Sequence, residues 1–152
     1  MSYTCELIDR PALPVLSIRT QAAVQDLPAV LGQAYGAIIQ YLGQLGQQPT
    51  GAPFVGYYSM DMRNLDMEIG FPVAGELPGQ GNIQPNKILG VKAAVCLHVG
   101  PYDKLQAAYQ VLMGWMQAQG HQPTGVVYEM YLNDPQEVPP EALQTQIVFP
   151  LE

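Results

Sequence analysis

Glu129 lies in Tyr128-Glu129-Met130-Tyr131, a carboxylate between two phenols in a stretch that reads as a β-strand. Strand alternation puts Val127, Glu129 and Tyr131 on one face. An acid among tyrosines suits an aromatic or cationic organic ligand: the carboxylate supplies charge, and each ring supplies stacking and cation–π attraction of about 0.5–2 kcal/mol. The spacing equally allows a strand glutamate turned to water. Glu68, in Asp66-Met67-Glu68-Ile69, falls on the strand face opposite Met67, Ile69 and Phe71. It either faces the same cavity as Glu129 or belongs to a solvated outer surface. Trp115, the sole tryptophan, sits on an apolar helical stripe, where core filler is the ordinary role. His98, at a strand end just before Gly100-Pro101, reads as a hydrogen-bonding anchor for a loop. No Ser-His-Asp or Cys-His order, Gly-x-Gly-x-x-Gly or phosphate loop is present. Cys-x-x-Cys, His-x-x-x-His and acidic metal-ligand loops are missing too, so no metal site and no cofactor are expected.

The elements that must hold these residues come as a repeat. Ala34-Tyr35 to Gly51 aligns without a gap on Ala108-Tyr109 to Gly125 at a constant shift of 74, which carries Tyr35 onto Tyr109, Gly46 onto Gly120 and Pro49 onto Pro123. Farther on, Ile69-Gly-Phe71-Pro72 matches Ile147-Val-Phe149-Pro150 at a shift of 78, so the second copy has a longer last hairpin. Each copy opens with an apolar extended segment, Val15–Thr20 or Ile88–Val99. A helix follows, with Leu27, Val30, Leu31, Ala34, Tyr35, Ile38, Tyr41, Leu42 and Leu45 on one stripe of the first and Leu105, Ala108, Tyr109, Leu112, Trp115 and Met116 on one stripe of the second. Asp26 is the expected cap of the first helix, with Pro28 in its first turn and Gly46 at its end; Pro101 opens the second and Gly120 closes it. Two β segments complete each copy, Phe54–Met60 with Leu65–Phe71, and Val126–Leu132 with Leu143–Phe149.

The expected fold class is α+β: one domain over 1–152 made of duplicated β-α-β-β units, with antiparallel sheets, helices on one face and a ligand cleft between the halves. Repeat one covers about 1–74 and repeat two about 87–152. The Gly-Pro-rich link between them, about 75–86, is expected as an exposed loop. Polar departures between matched positions are then more telling than matches. Glu129 corresponds to Val55, with Tyr57 and Ser59 following on the same face, and Trp115 corresponds to Tyr41. The candidate ligand-binding set is Glu129, Tyr131 and Trp115 from the second copy with Val55, Tyr57 and Glu68 from the first.

Composition narrows the partners. The chain is 48% hydrophobic and 12% charged, which favours a packed core over disorder. Six basic against 13 acidic residues give a net charge of −7 without a basic run, so direct nucleic-acid binding is not expected. Apolar runs such as Ala93–Leu97 are too short to cross a bilayer, and Met1–Arg10 has no export-signal pattern, so a cytoplasmic protein without membrane contact is expected. In that compartment Cys5 and Cys96 read as inert small hydrophobes, although pairing is open to them.

The ordered run His98-Val-Gly100-Pro101-Tyr102-Asp103, then Ala108-Tyr109 and Trp115, then Tyr128-Glu129-Met-Tyr131-Leu-Asn-Asp134-Pro135 and Thr145-x-Ile147-x-x-Pro150, resembles the GyrI-like small-molecule-binding domain. The resemblance covers nearly the whole chain and is strongest from Ile88 onward. It implies a cavity for lipophilic, often cationic aromatic compounds, for sequestration or sensing, with Glu129 as the acid facing aromatics. It also implies two alternatives. One is a hydrolase of reactive electrophilic drug-like compounds, with Glu129 as catalytic general base at a pKa raised toward neutrality. The other is a protein-interaction module such as a gyrase inhibitor. Transcription regulators containing this domain carry a helix-turn-helix module, for which this chain has no room.

Overall fold

The computed structural model describes residues 3–59, 61–88 and 90–152. Its elements in chain order are β1 Cys5–Asp9, β2 Leu13–Ala22, α1 Leu27–Gln44, β3 Phe54–Tyr57, β4 Leu65–Pro72, β5 Ile83–Ile88, β6 Lys92–Val99, α2 Leu105–Gln119, β7 Val127–Tyr131 and β8 Gln144–Pro150. The chain divides into two compact units, a first one of Ala12–Leu89 and a second one of Met1–Pro11 with Gly90–Glu152.

In the first unit β2 pairs with β4 and β5, and β4 pairs with β3, all antiparallel. Phe71 on β4 meets the ring of Tyr35 on α1 edge to face, 5.2 Å between centroids. Its face of the sheet, shared with Val55, Tyr57, Met67 and Ile69, is therefore the helix side. The apolar stripe of α1 buries Ala34, Ile38, Tyr41 and Leu42. Each fully buried Leu or Ile contributes about 1.5–3 kcal/mol of transfer free energy. Gly46 ends the helix at φ +69°, a conformation cheap only for glycine. Asp26 precedes the helix without capping it through its side chain, contrary to expectation. Gly36 lies on the exposed side of α1 with nothing within 4 Å of where a Cβ would stand. Gly36→Ala is expected to raise unfolding stability by about 0.5–1 kcal/mol, readable as a higher midpoint in urea.

The second unit repeats the plan. β6 pairs with β1 and β8, and β8 pairs with β7, again all antiparallel. Tyr109 of α2 meets Phe149 of β8 at 6.0 Å, so the face shared by Glu129, Tyr131, Thr145, Ile147 and Phe149 is the helix side. Leu105, Ala108, Leu112 and Met116 are the buried stripe of α2, and Gly120 ends it at φ +77°. Pro101 precedes a 3-10 turn, Tyr102–Lys104, and α2 proper starts after it. Cys5 stands directly across from Cys96, and both thiols are free. Burial, with the neighbouring Cys5 thiol adding to it, pushes the Cys96 thiol up to about 12, so it stays protonated and unreactive at neutral pH.

The architecture is α+β and antiparallel as expected, with one difference of substance. Each unit has four strands rather than three. β1 is short and lies at an edge. β5 starts inside the stretch expected to be a loop and carries Pro85, which an edge strand tolerates because one side of its backbone donates to nothing. The strand expected to run unbroken over Ile88–Val99 is instead the end of β5 and, from Lys92, β6. Leu89, within that expected strand, and Met60, the expected end of the β3 segment, lie outside the described residues.

Candidate functional site

Glu129 sits in the middle of β7, opposite Ile147 of β8. Its residue is 8% exposed, and its carboxylate accepts two phenolic hydrogen bonds. The Tyr109 hydroxyl donates to Oε2 in a short contact, and the Tyr131 hydroxyl donates to Oε1 at 2.7 Å. Tyr102, in the turn before α2, packs edge-on against Tyr131 with 5.6 Å between ring centroids. The result is a carboxylate inside a cluster of three tyrosines drawn from α2, β7 and the α2 entry turn. Burial raises the Glu129 carboxyl above the usual carboxylate range, opposed by the hydrogen bonds from Tyr109 and Tyr131. Tyr102 is raised as well, by burial first and then by the negative charges of Asp134 and Glu129. Among the described residues no lysine or arginine forms an ion pair with Glu129; the ion pair found is Arg19 with Asp66.

The internal repeat shows what this cluster adds to the scaffold. The first unit has the same ladder register, Val55 opposite Ile69 and Tyr57 opposite Met67, where the second has Glu129 opposite Ile147 and Tyr131 opposite Thr145. Tyr35, the counterpart of Tyr109, donates to the Phe54 carbonyl at 2.9 Å. A phenol at that helix position serves the fold in one unit and a carboxylate in the other. Tyr109 is thus a site residue that the sequence placed on the stripe of the second helix, in the repeat and in the family motif, without a role at Glu129. The signal that would have found it is its helix position matched to Tyr35, facing the strand position where an acid replaces valine.

Glu68 is placed differently. It lies on the face of the first unit's sheet away from α1, 2% exposed, and accepts from Ser17 Oγ at 2.6 Å, Tyr58 hydroxyl at 2.8 Å and Asn86 Nδ2 at 2.8 Å. The outer-surface alternative had Glu68 in water; it is instead buried in a network joining β2, β4 and β5. Nearby, Arg19 stacks 3.8 Å over the Tyr58 ring and bonds Asp66 with two nitrogens. Val55 and Tyr57 are buried on the α1 side of the first unit. Trp115 is half-buried toward the C-terminal end of α2, its ring 5.8 Å from His121. The structure thus joins Glu129 to Tyr131 and adds Tyr109 and Tyr102, while the ring contact found for Trp115 among the described residues is with His121. His98 is fully buried, with Nε2 3.0 Å from the Pro101 carbonyl and Nδ1 3.1 Å from the Tyr3 hydroxyl. Because a carbonyl only accepts, Nε2 carries the proton and Nδ1 accepts from Tyr3. That ring anchors the loop into α2.

A hollow of about 470 Å³ in the first unit is lined by Pro14, Glu76, Pro78, Asn86 and Lys87 among others. A second of about 380 Å³ lies beside Tyr3, His98, Pro101 and Lys104. Neither is lined by Glu129. Among the described residues no three His, Cys, Asp or Glu side chains gather as metal ligands, and no helix is long and apolar enough to cross a membrane.

Known structures share this fold. The C-terminal domain of EcmrR superposes with a TM-score of 0.84 at 24% identity, covering 100% of this chain and 99% of that one. EcmrR in its cryo-EM complex with DNA gives 0.86 at 27% identity over 99% of this chain, and this chain spans 57% of that one's length. SAV2435, solved bound to tetraphenylphosphonium, gives 0.71 at 14% identity, covering 100% of this chain and 94% of its own. No curated protein matches. A sequence model of the GyrI-like small molecule binding domain matches residues 3–152. With that match over nearly its whole length, the chain belongs to the family of GyrI-like small-molecule-binding domains.

Proposed function

We propose that this domain binds lipophilic aromatic cations against the Glu129 carboxylate, for sequestration or sensing. The observation that carries the reading is a buried acid whose described partners are neutral phenols. Buried charges are normally paired, and a carboxylate held only by hydroxyl donors has its hydrogen bonds but lacks a countercharge. A cationic ligand supplies it, while Tyr102, Tyr109 and Tyr131 offer ring faces and edges to its aromatic body. The tetraphenylphosphonium complex of SAV2435, a protein of the same fold, supports this class of ligand. The test is calorimetric titration with tetraphenylphosphonium: a saturable isotherm is expected, and no binding at any accessible concentration would refute the reading.

Binding should depend on pH in a direction set by Glu129. Its carboxyl is raised in the folded protein, so it takes up a proton at a higher pH than an ordinary glutamate. Affinity for a permanent cation is expected to be highest at neutral pH and above, and to fall as pH drops through that raised value. The same titration repeated from pH 8 to pH 5 checks this. A flat profile would mean that the carboxylate does not meet the cation.

The raised carboxyl also favours a hydrolytic use of the site, since a base poised nearer neutrality deprotonates water better than an ordinary glutamate does. Turnover of a reactive electrophilic compound above the buffer rate, lost in Glu129→Gln, is the observation that would assign it.

A further inference from the structure

The strand register brings one more polar group to the face that carries Glu129. Thr145 of β8 stands opposite Tyr131 on β7 and opposite His98 on β6, one diagonal step along the ladder from Glu129. It is 0% exposed, and its Oγ1 has no hydrogen-bond partner among the described residues. Its neighbours are committed elsewhere. Both nitrogens of His98 are engaged, by Tyr3 and by the Pro101 carbonyl, and the Tyr131 hydroxyl donates to Glu129.

Leaving a buried hydroxyl unpaired costs free energy, so packing alone does not favour one here. The first unit shows what packing accepts: the matched position opposite Tyr57 is Met67, apolar and fully buried. The two polar departures of the second unit on this face, Glu129 for Val55 and Thr145 for Met67, are diagonal neighbours in the same two-strand ladder. Such neighbours are about 7–8 Å apart, a separation that a single organic ligand spans.

We propose that Thr145 Oγ1 is a hydrogen-bonding contact for the bound ligand and sets specificity, selecting lipophilic cations that carry a hydroxyl about one aromatic ring away from the charged centre. The inference rests on the reading that Glu129 receives the cation. A site whose buried polar group needs a partner discriminates against ligands that lack one.

A matched pair of compounds tests it: tetraphenylphosphonium and its analogue with one para-hydroxyl, titrated into the wild type, Thr145→Val, Thr145→Ser and Glu129→Gln. The wild type is expected to prefer the hydroxylated compound by about fivefold to tenfold, the size of one net hydrogen bond. Thr145→Val should lose the preference, and Thr145→Ser should keep it. Glu129→Gln should weaken both compounds and leave their ratio alone. A wild type with no preference, or a preference that survives in Thr145→Val, overturns the role of Thr145 while the cation reading stands. Failure of both compounds to bind the wild type overturns the cation reading and this inference with it. Should the valine variant not fold, Thr145→Ala takes its place under the same criteria.

Discussion

Glu129→Gln is expected to weaken tetraphenylphosphonium binding by about 30- to 150-fold without unfolding the protein. Removing one partner from a partly buried charge pair costs about 2–3 kcal/mol at the lower end of measured cases, and every 1.4 kcal/mol is tenfold in affinity. Glutamine keeps the volume and can still accept from one tyrosine, so the loss reports charge rather than shape. Stability should move the other way. The folded-state carboxyl is raised above its unfolded value, so its contribution to stability is full below the unfolded value and is lost as pH rises through the folded one. At pH 7 the glutamine variant should therefore melt at or above the wild-type temperature, and that advantage should shrink as the pH is lowered toward 4. Paired calorimetry and thermal melts give both numbers. A variant that binds as tightly as the wild type would remove Glu129 from the site.

Gly70→Ala is expected to be the most damaging small substitution in the first unit. Gly70 on β4 stands opposite Ser17 on β2, and a Cβ there would fall 2.8 Å from Ser17 Cβ and closer still to the Leu16 carbonyl oxygen. Both obstacles belong to a paired strand, so relief requires the β2–β4 ladder to shift. That places the cost near the top of the range for single substitutions, about 3 kcal/mol or more. For a chain of this length about 6–12 °C in melting temperature follows. A shift of Ser17 also strains its 2.6 Å hydrogen bond to Glu68. A melting temperature within 2 °C of the wild type would show that the strand pair yields more easily than its hydrogen bonding suggests.

The sequence made the internal repeat legible because its helix and the turn after it align without a gap, and because helical periodicity marks a single apolar stripe. Both features are local. The strands at the sheet edges were not legible: Cys5–Asp9 is only five residues long, and Ile83–Ile88 carries a proline and an asparagine that read as loop. Their strand character comes from the partners β6 and β2 rather than from their own residues. Within the site, Glu129 and Tyr131 were visible because strand alternation joins residues two apart. Tyr109 reaches the acid from α2, and Tyr102 packs on Tyr131 from the entry turn; no spacing rule connects a helix residue to a strand residue twenty positions away. Glu68 shows the same limit from the other side. Alternation gave its face, but the ring of Ser17, Tyr58 and Asn86 around it depends on the three-strand register.

The first unit is one continuous stretch, Ala12–Leu89, whereas the second takes its edge strand from the opening residues of the chain and everything else from Gly90 onward. On the ribosome, Leu13–Ile88 can find all its ladder partners as soon as it emerges. Cys5–Asp9, made earlier, must wait for Lys92–Val99 and then close a loop that the intervening unit has already compacted, at a lower entropic penalty than an open chain of that length would incur. Order of synthesis and order of assembly are therefore inverted at the amino terminus. A cut near residues 75–86, which would separate the copies as the repeat divides them, would leave each fragment without one outer strand.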